Sequence, residues 1–460
     1  MVITVGLRKL VHASIVLGVL LLPLFTWWQS LSLGGLALVG CALVLPGRPG
    51  HALIRGSDPR LPSAVMFYIL GVMLLIVTFP ARLDLVASGW GILAAGDGAA
   101  TIAGRAWGRA RWPWSSQKAI AGTIAFVVAG SIVGFLLAWA LRSPAGGSIA
   151  MAATAAGAGA AAAVSAGPAS LVFLASATLV AAIAAAIVET LPIRLDDNLS
   201  VSVTAALVLW CAALISPDTF AAAWPVLART VPIGLLLNVA FAVFVWRAKG
   251  VSLSGAIAGA IVGVMTYAGA DWRGWLMLVL AFAAAWATSR MGLARKRVLG
   301  IDEARDGRRG AENALANCGV AAVAALAVLF TPYRDLALLA LTTALVAGAS
   351  DTVASEIGKA WGGHTLLVTT MRSVKAGTPG AISLEGTAAG LASAFLMAVA
   401  AWGVGLIPAD SLWIVVVAAT AGAFVESALG ATLETNHILD SHVLNFLNTL
   451  LAVAVAVWLR

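Results

Sequence analysis

Charge is scarce in this chain. Asp, Glu, Lys and Arg make up 10% of 460 residues, against 61% apolar residues and a mean hydropathy of +0.99. Soluble domains carry about 25% charged residues, so that class is excluded. Cysteine is scarcer still: Cys41, Cys211 and Cys318 lie in apolar runs without CxxC spacing. That excludes a disulfide framework and a zinc site and leaves them as small buried hydrophobes. No segments alternate as the strands of a membrane barrel do. No Gly-Lys-Ser/Thr stands at P-loop spacing. No small-residue cleavage site follows the first apolar run after Arg8 and Lys9, which therefore reads as a retained span rather than a signal peptide.

What is present is a succession of apolar segments of roughly 17–22 residues, each long enough to cross a bilayer. They fall at 12–28, 30–46, 62–80, 84–104, 118–142, 170–190, 199–217, 229–246, 252–269, 272–290, 313–331, 335–357, 382–406, 411–431 and 441–459. The expected fold is an all-α polytopic membrane protein of about fifteen transmembrane helices. The Ala/Gly-rich stretch 145–168 drives insertion weakly and reads as half-inserted or surface-lying. Without it, every basic loop falls on one side: Arg8/Lys9, Arg48–Arg60, Arg105–Arg111, Arg194, Arg247/Lys249, Arg290–Arg309 and Lys359–Lys375. The positive-inside rule makes that side cytoplasmic, in a plasma or inner membrane, and leaves Arg460 outside. The net charge of +8 then reflects orientation and anionic lipid, not nucleic acid.

Two stretches echo each other. Gly96-Asp97-Gly98-Ala-Ala100, closing on Gly104-Arg105-Ala-Trp107-Gly108, matches Ser350-Asp351-Thr-Val-Ala354-Ser355-Glu356, closing on Gly358-Lys359-Ala-Trp361-Gly362. A carboxylate in a bilayer is costly and by default marks function. Lys118…Gly122-Thr123 and Ser383…Gly386-Thr387 each open a following helix, and Val188-Glu189 resembles Val425-Glu426. Matched segments run the same way across the membrane, so the expected organisation is a parallel repeat, with domains at 1–220 and 228–460.

In the first half, Asp97 lies one turn from a loop rich in Arg and Lys. Arg105, Lys118 and the helix opening at Gly122-Thr123 form an expected phosphate site, because free N–H groups and the helix dipole favour anions. Glu189, Asp197 and Asn198, together with Asp97, are expected Mg²⁺ ligands. His12 is the candidate base for orienting an attacking hydroxyl. The set Arg8-Lys9-x-x-His12, Gly96-Asp97-Gly98, Gly104-x-x-x-Gly108, Lys118-x-x-x-Gly122-Thr123 and Glu189…Asp197-Asn198 resembles the phytol kinase and dolichol kinase family, itself distantly similar to CDP-diacylglycerol synthase. The resemblance covers about 1–215 and implies phosphorylation of a long isoprenoid alcohol with CTP or a related nucleotide and Mg²⁺. Family members often carry Ser or Thr where this chain has Ala119.

The second half contains the longest charged loop, Arg290–Glu312, with seven cations and four acids, read as a solvated basic loop. Beyond it, Asp351 and Ser355 share a helix face at i, i+4 and are assigned to metal and phosphate, with Glu356 beside them. Lys375-Ala-Gly377-Thr378-Pro-Gly380-Ala-Ile-Ser383 reads as a phosphate cradle before a helix. These residues, with Asn317 and Ser427-x-x-Gly430-Ala431, resemble a membrane domain family long without assigned function, whose plant members act as phytyl-phosphate kinases in tocopherol synthesis. That resemblance spans about 230–460 and implies nucleotide and phosphate contacts from Asn317, Gly377, Thr378, Gly380 and Ser383, and metal contacts from Asp351, Glu356 and Glu426. Glu426 stands where the family usually has Asp. The combined expectation is a prenol kinase followed by a prenyl-phosphate kinase, both facing the cytoplasm. A CDP-lipid-forming cytidylyltransferase and an isoprenoid-phosphate transporter are the alternatives.

Overall fold

The computed structural model describes residues 19, 21–44, 61–80, 82–112, 115–141, 171–190, 196–215, 217–300, 309–435 and 439–460. Arg8, His12, the stretch 145–168 and residues 12–18 and 20 of the first expected span lie outside the described residues. The chain divides into two compact units, Met1–Leu214 and Ile215–Arg460.

The first unit contains α1 (Trp27–Val44), α2 (Leu61–Thr78), α3 (Leu83–Trp107), a hairpin of β1 (Arg111–Trp112) and β2 (Ser115–Ala119), then α4 (Ile120–Leu141), α5 (Leu171–Thr190) and α6 (Asp197–Ala213). The second contains α7 (Pro217–Arg247), α8 (Leu253–Arg290), the short α9 (Leu293–Leu299), α10 (Ala311–Phe330), α11 (Arg334–Trp361), a hairpin of β3 (Thr365–Leu367) and β4 (Ala381–Ser383), α12 (Leu384–Gly403), α13 (Leu412–Leu429, continuing as a π-turn to Glu434) and α14 (Ser441–Leu459). Helices dominate because a bilayer leaves no water to satisfy backbone groups. Among the described residues ten helices are long and apolar enough to cross a membrane, and Met66–Thr78 and Asp197–Ala213 are shorter apolar helices.

Three details differ from the sequence expectation. The segment before 229 is helical: α7 begins at Pro217 and continues through Pro225 and Pro232. Helix α8 spans both expected spans 252–269 and 272–290, but its backbone leaves the helical region at Ala270 and Asp271, where φ is +48° at Asp271. The two arms fold back on each other, since Arg309 meets both ends: its carbonyl lies where a Cβ on Gly255 would be, and its Nη2 donates to the Ala285 carbonyl at 3.5 Å. The third is the pair of short β-hairpins, too brief to leave an alternating pattern. In the second unit this folding puts Lys249, Arg290, Arg309 and Lys359 at one end of the helices. The Arg460–Asp410 ion pair closes the other at 3.3 Å.

Each unit contains the same local construction. A long acid-bearing helix ends in Gly, a hairpin returns, and the next helix packs back on the first. In the first unit, a Cβ on Gly122 would meet the Ala100 carbonyl at 3.0 Å, and one on Gly108 would meet Ala119 Cβ at 2.9 Å. In the second, Gly386 stands 2.6 Å from the Ala354 carbonyl by the same measure, and Gly362 stands 3.1 Å from Ser383 Cβ. The helix then meets the last helix of its unit, α3 against α6 and α11 against α14. Such close approach depends on small residues, because between helices in lipid the attraction is van der Waals packing and hydrogen bonding.

Gly386→Leu is expected to lower thermal stability in detergent, by about 1–3 kcal/mol for overpacking. Gly403→Ala, where nothing lies within 4 Å of the added Cβ, is the neutral control. A fluorescence-detected melting series on both variants checks this.

Candidate functional site

In the second unit, α10 to α14 enclose a polar cavity of about 600 Å³. Asn317, Asp351, Ser355, Glu356, Gly377, Thr378, Gly380, Ser383 and Glu426 all line it, so nine residues distant in sequence converge there. Helix α11 supplies Asp351, Ser355 and Lys359 at successive i, i+4 steps on one face. The glycine loop is fixed by backbone it alone can adopt. Gly377 has φ +86° and Gly380 φ +71°, and a Cβ on Gly380 would strike the Ser427 carbonyl and the Ala431 nitrogen at 2.3 Å. This close approach gives the Ser427-x-x-Gly430-Ala431 spacing its physical meaning: the end of α13 is the rest on which the loop lies. Thr378 Oγ1 donates to the Lys375 carbonyl at 2.7 Å, closing the turn. Ser383 caps α12 by accepting from the Gly386 N–H at 3.1 Å.

The acids divide into two kinds. Glu356 is 2% exposed, and both its oxygens meet lysines: Oε2 meets Lys296 Nζ at 2.6 Å and Oε1 meets Lys359 Nζ at 3.0 Å. Both oxygens of this expected metal ligand are thus engaged by ammonium groups of the protein itself. Lys296, only 1% exposed, also donates to the Thr288 and Ser289 carbonyls at the end of α8. The solvated reading of the basic loop therefore fails at this lysine. Asp351 and Glu426 face one another without a lysine bound to either. With the Asn445 amide turned so that its nitrogen faces Glu426, it donates to Oε1 at 2.9 Å and to the Ser441 carbonyl at 2.9 Å. Glu426 Oε2 is buried with no hydrogen-bond partner.

Among the described residues no group of three or more His, Cys, Asp or Glu side chains is arranged to hold a metal. Mg²⁺ nonetheless fits the Asp351–Glu426 pair, because it binds through one or two carboxylates and completes its shell with water and substrate phosphate. The orphaned Glu426 oxygen is a donor of the kind such an ion would take. Lys375 is exposed and does not line the cavity. Lys359 is the lysine that does, and Arg309, Glu312, Glu434 and His442 join it from elements that sequence separation kept apart.

The first unit gathers a smaller cluster. Lys118 on β2 reaches Glu189 at the end of α5 and Asp197 at the start of α6, both at 2.8 Å. Asp97 on α3 is near enough to act electrostatically on Glu189. The expected metal ligands Glu189 and Asp197 thus hold an ammonium of the protein's own. Asn198 turns its amide to Asp196 Oδ1 at 2.8 Å, completing the cap of α6. Thr123 accepts from Trp112 Nε1 at 2.8 Å and so braces the hairpin, Gly122 serves helix packing, and Arg105 is exposed. Thr123 and Gly122, expected at the phosphate site, thus take part in bracing the hairpin and packing the helix. Partial burial lowers the Lys118 ammonium, but Glu189 and Asp197 outweigh that and hold it above the usual lysine value.

The second unit also carries kinship. Residues 236–453 match the family described as integral membrane protein DUF92. An uncharacterised membrane protein of Synechocystis, sll0875, is 40% identical over 200 residues, covering 43% of this chain and 78% of the relative. The chain belongs to the DUF92 family. It is a multi-pass integral membrane protein. Protein VTE6, chloroplastic, of Arabidopsis thaliana is 31% identical over 218 residues, covering 46% of this chain and 66% of its own length. An uncharacterised membrane protein of Methanocaldococcus jannaschii, MJ0933, is 28% identical over 222 residues, 47% and 89% of the two chains. No solved structure matches. The DUF92 match lies wholly within the unit that holds the polar cavity.

Lys118→Met is expected to destabilise the first unit by about 1–3 kcal/mol, less than a fully buried pair because Lys118 and Asp197 reach solvent. Adding Glu189→Gln restores part of the loss, which a double-mutant cycle on detergent melting curves measures. With its value raised, Lys118 contributes fully below its unfolded value of about pH 10.4. That contribution is lost only as pH climbs through the higher folded value, so on the lysine side the cycle gives the same coupling at pH 8 and pH 9.

Proposed function

We propose that the second unit is a prenyl-phosphate kinase, converting an isoprenyl monophosphate to the diphosphate with CTP or another nucleoside triphosphate. One observation carries this reading: Asp351, Ser355, Lys359, the Gly377–Gly380 loop, Ser383 and Glu426 line one cavity, at the basic end of the helices. That collects in one place the parts phosphoryl transfer uses: cations, backbone N–H groups, hydroxyls and carboxylates. The motif resemblance to phytyl-phosphate kinases of tocopherol synthesis, together with the likeness to Protein VTE6, supports an isoprenoid substrate such as phytyl phosphate.

The roles follow from placement. Lys359, held by Glu356, meets the transferring phosphate, and the loop N–H groups hold its neighbours. Ser355 and Ser383 donate hydroxyls to phosphate oxygens. Asp351 and Glu426 would hold Mg²⁺, which would offset negative charge developing on the transferring phosphoryl group. An oxygen of the prenyl monophosphate attacks the γ-phosphorus, the bond to the bridging oxygen breaks, and the nucleoside diphosphate leaves. No base is needed, because the attacking oxygen is already anionic.

The first unit, on the same helix–hairpin–helix construction, carries the earlier step, from prenol to monophosphate, with Asp97 at its acidic centre. The basic end faces the cytoplasm, where nucleotides are, in accord with the positive-inside rule.

With labelled prenol in proteoliposomes, Asp351→Asn is expected to accumulate monophosphate, its diphosphate formation falling at least about 100-fold. Asp97→Asn is expected to stop monophosphate formation, while supplied monophosphate is still converted. Thin-layer separation of products reads both. Accumulation of monophosphate in Asp97→Asn instead would reverse the assignment of units. Release of pyrophosphate in place of nucleoside diphosphate would assign nucleotidyl transfer. Movement of label without nucleotide turnover would assign transport.

A further inference from the structure

A second cavity, of about 120 Å³, adjoins the polar one within the second unit. Its walls come from α7, both arms of α8, α10 and α11, and Phe241, Val245, Leu278 and Phe282 make it apolar. Asn238, the polar group at its far side, is already satisfied: its Nδ2 donates to the Gly234 carbonyl at 2.8 Å and its Oδ1 accepts from Trp275 Nε1 at 3.1 Å. That end therefore offers a ligand only apolar surface. At the near side the two cavities share Arg309, Asn313, Asn317 and Thr352. Asn317 Oδ1 is buried there with no hydrogen-bond partner. One wall is open because α8 carries Gly259, where an added Cβ would meet nothing within 4 Å.

We propose that this chamber binds the isoprene unit next to the phosphate of the substrate. The identity of the headgroup rests on the kinase reading, and the remainder on geometry. An anionic head in the polar cavity places the first carbons of its chain at the Arg309–Asn317 junction, and the chamber begins there. Its volume limits what enters, since a cavity of ~150 Å³ holds a molecule about the size of benzene. That admits about one branched five-carbon unit, and the remaining tail stays in lipid. The site thereby reads the shape of the first isoprene unit and is indifferent to chain length. This separates a prenyl phosphate from a phospholipid, whose glycerol ester carbons are bulkier and polar at the same distance from phosphorus.

Gly259→Leu fills the chamber from the open wall and leaves the polar cavity untouched. Binding of geranylgeranyl monophosphate to the full chain in detergent is expected to weaken about tenfold, because the first isoprene unit can no longer bury its apolar surface there. Nucleotide binding is expected to stay unchanged. Geranyl and geranylgeranyl monophosphates are expected to bind wild-type protein equally, and phosphatidic acid to compete poorly. A geranylgeranyl monophosphate with a diazirine on its first isoprene unit is expected to label peptides containing Phe241 or Phe282. Equal binding by Gly259→Leu, label confined to other helices, or effective competition by phosphatidic acid would overturn the chamber. Specific labelling without nucleotide turnover would leave the chamber standing and refute the kinase reading, so the two failures are distinguishable.

Discussion

The structure depends on how a membrane protein neutralises acids it cannot leave in water. Taking a carboxylate out of water costs several kcal/mol even after relaxation, about as much as a whole domain's margin of stability. Glu356 meets that cost by recruiting Lys296 from 60 residues away and Lys359 from its own helix. The pair therefore ties α9 to α11, and Lys296 adds the end of α8 through two carbonyls. Replacing such a pair by apolar residues is often neutral, whereas removing one partner is severe. Its consequence here is positional: Lys359 is held at the wall of the polar cavity by an acid that is itself held.

The same rule separates structural acids from reactive ones. Glu356 and Glu189 each have a lysine at hydrogen-bond distance. Asp351 and Glu426 have each other and an asparagine amide. An acid with a lysine at hydrogen-bond distance has its charge offset within the protein and contributes architecture. Two facing acids without one are incomplete and acquire a proton or a cation from outside. The cavity takes its chemical character from that omission more than from the abundance of polar residues around it.

Much of this is legible in the residues. The shared face of Asp351 and Ser355 follows from i, i+4 spacing, and the loop at Gly377–Gly380 follows from glycines that only φ > 0 requires. What is not legible depends on distance in sequence. Nothing local distinguishes Lys296 from its neighbours Arg295 and Arg297, yet it alone of the three is buried. Sequence favours Lys375 over Lys359 because it adjoins the glycine loop. The loop turns its carbonyl inward and leaves the side chain exposed, whereas helical phase carries Lys359 to the cavity. The fold at Ala270–Asp271 separates two spans whose apolar pattern is clear, but their connection as a tight pair comes from packing against Arg309. The apolar pattern places the start of this span at 229, yet α7 begins at Pro217 and continues through Pro225 and Pro232.

The repeated helix–hairpin–helix construction makes one substitution decisive. Ala119 and Ser383 occupy equivalent places, each against the glycine that ends the preceding helix. One residue earlier, the first unit has Lys118 and the second has Ile382. In the first unit that strand residue reaches across to Glu189 and Asp197 and places one ammonium between the two acids. In the second, an isoleucine cannot do so, and Glu426 keeps a buried oxygen without a partner. The two units therefore present different electrostatics on one scaffold. A cation approaching the first competes with an ammonium already in place, whereas one approaching the second meets acids that nothing on the neighbouring strand compensates. The contrast between Lys118 and Ile382 on the returning strands thus accompanies the contrast in how the acids of each unit are paired.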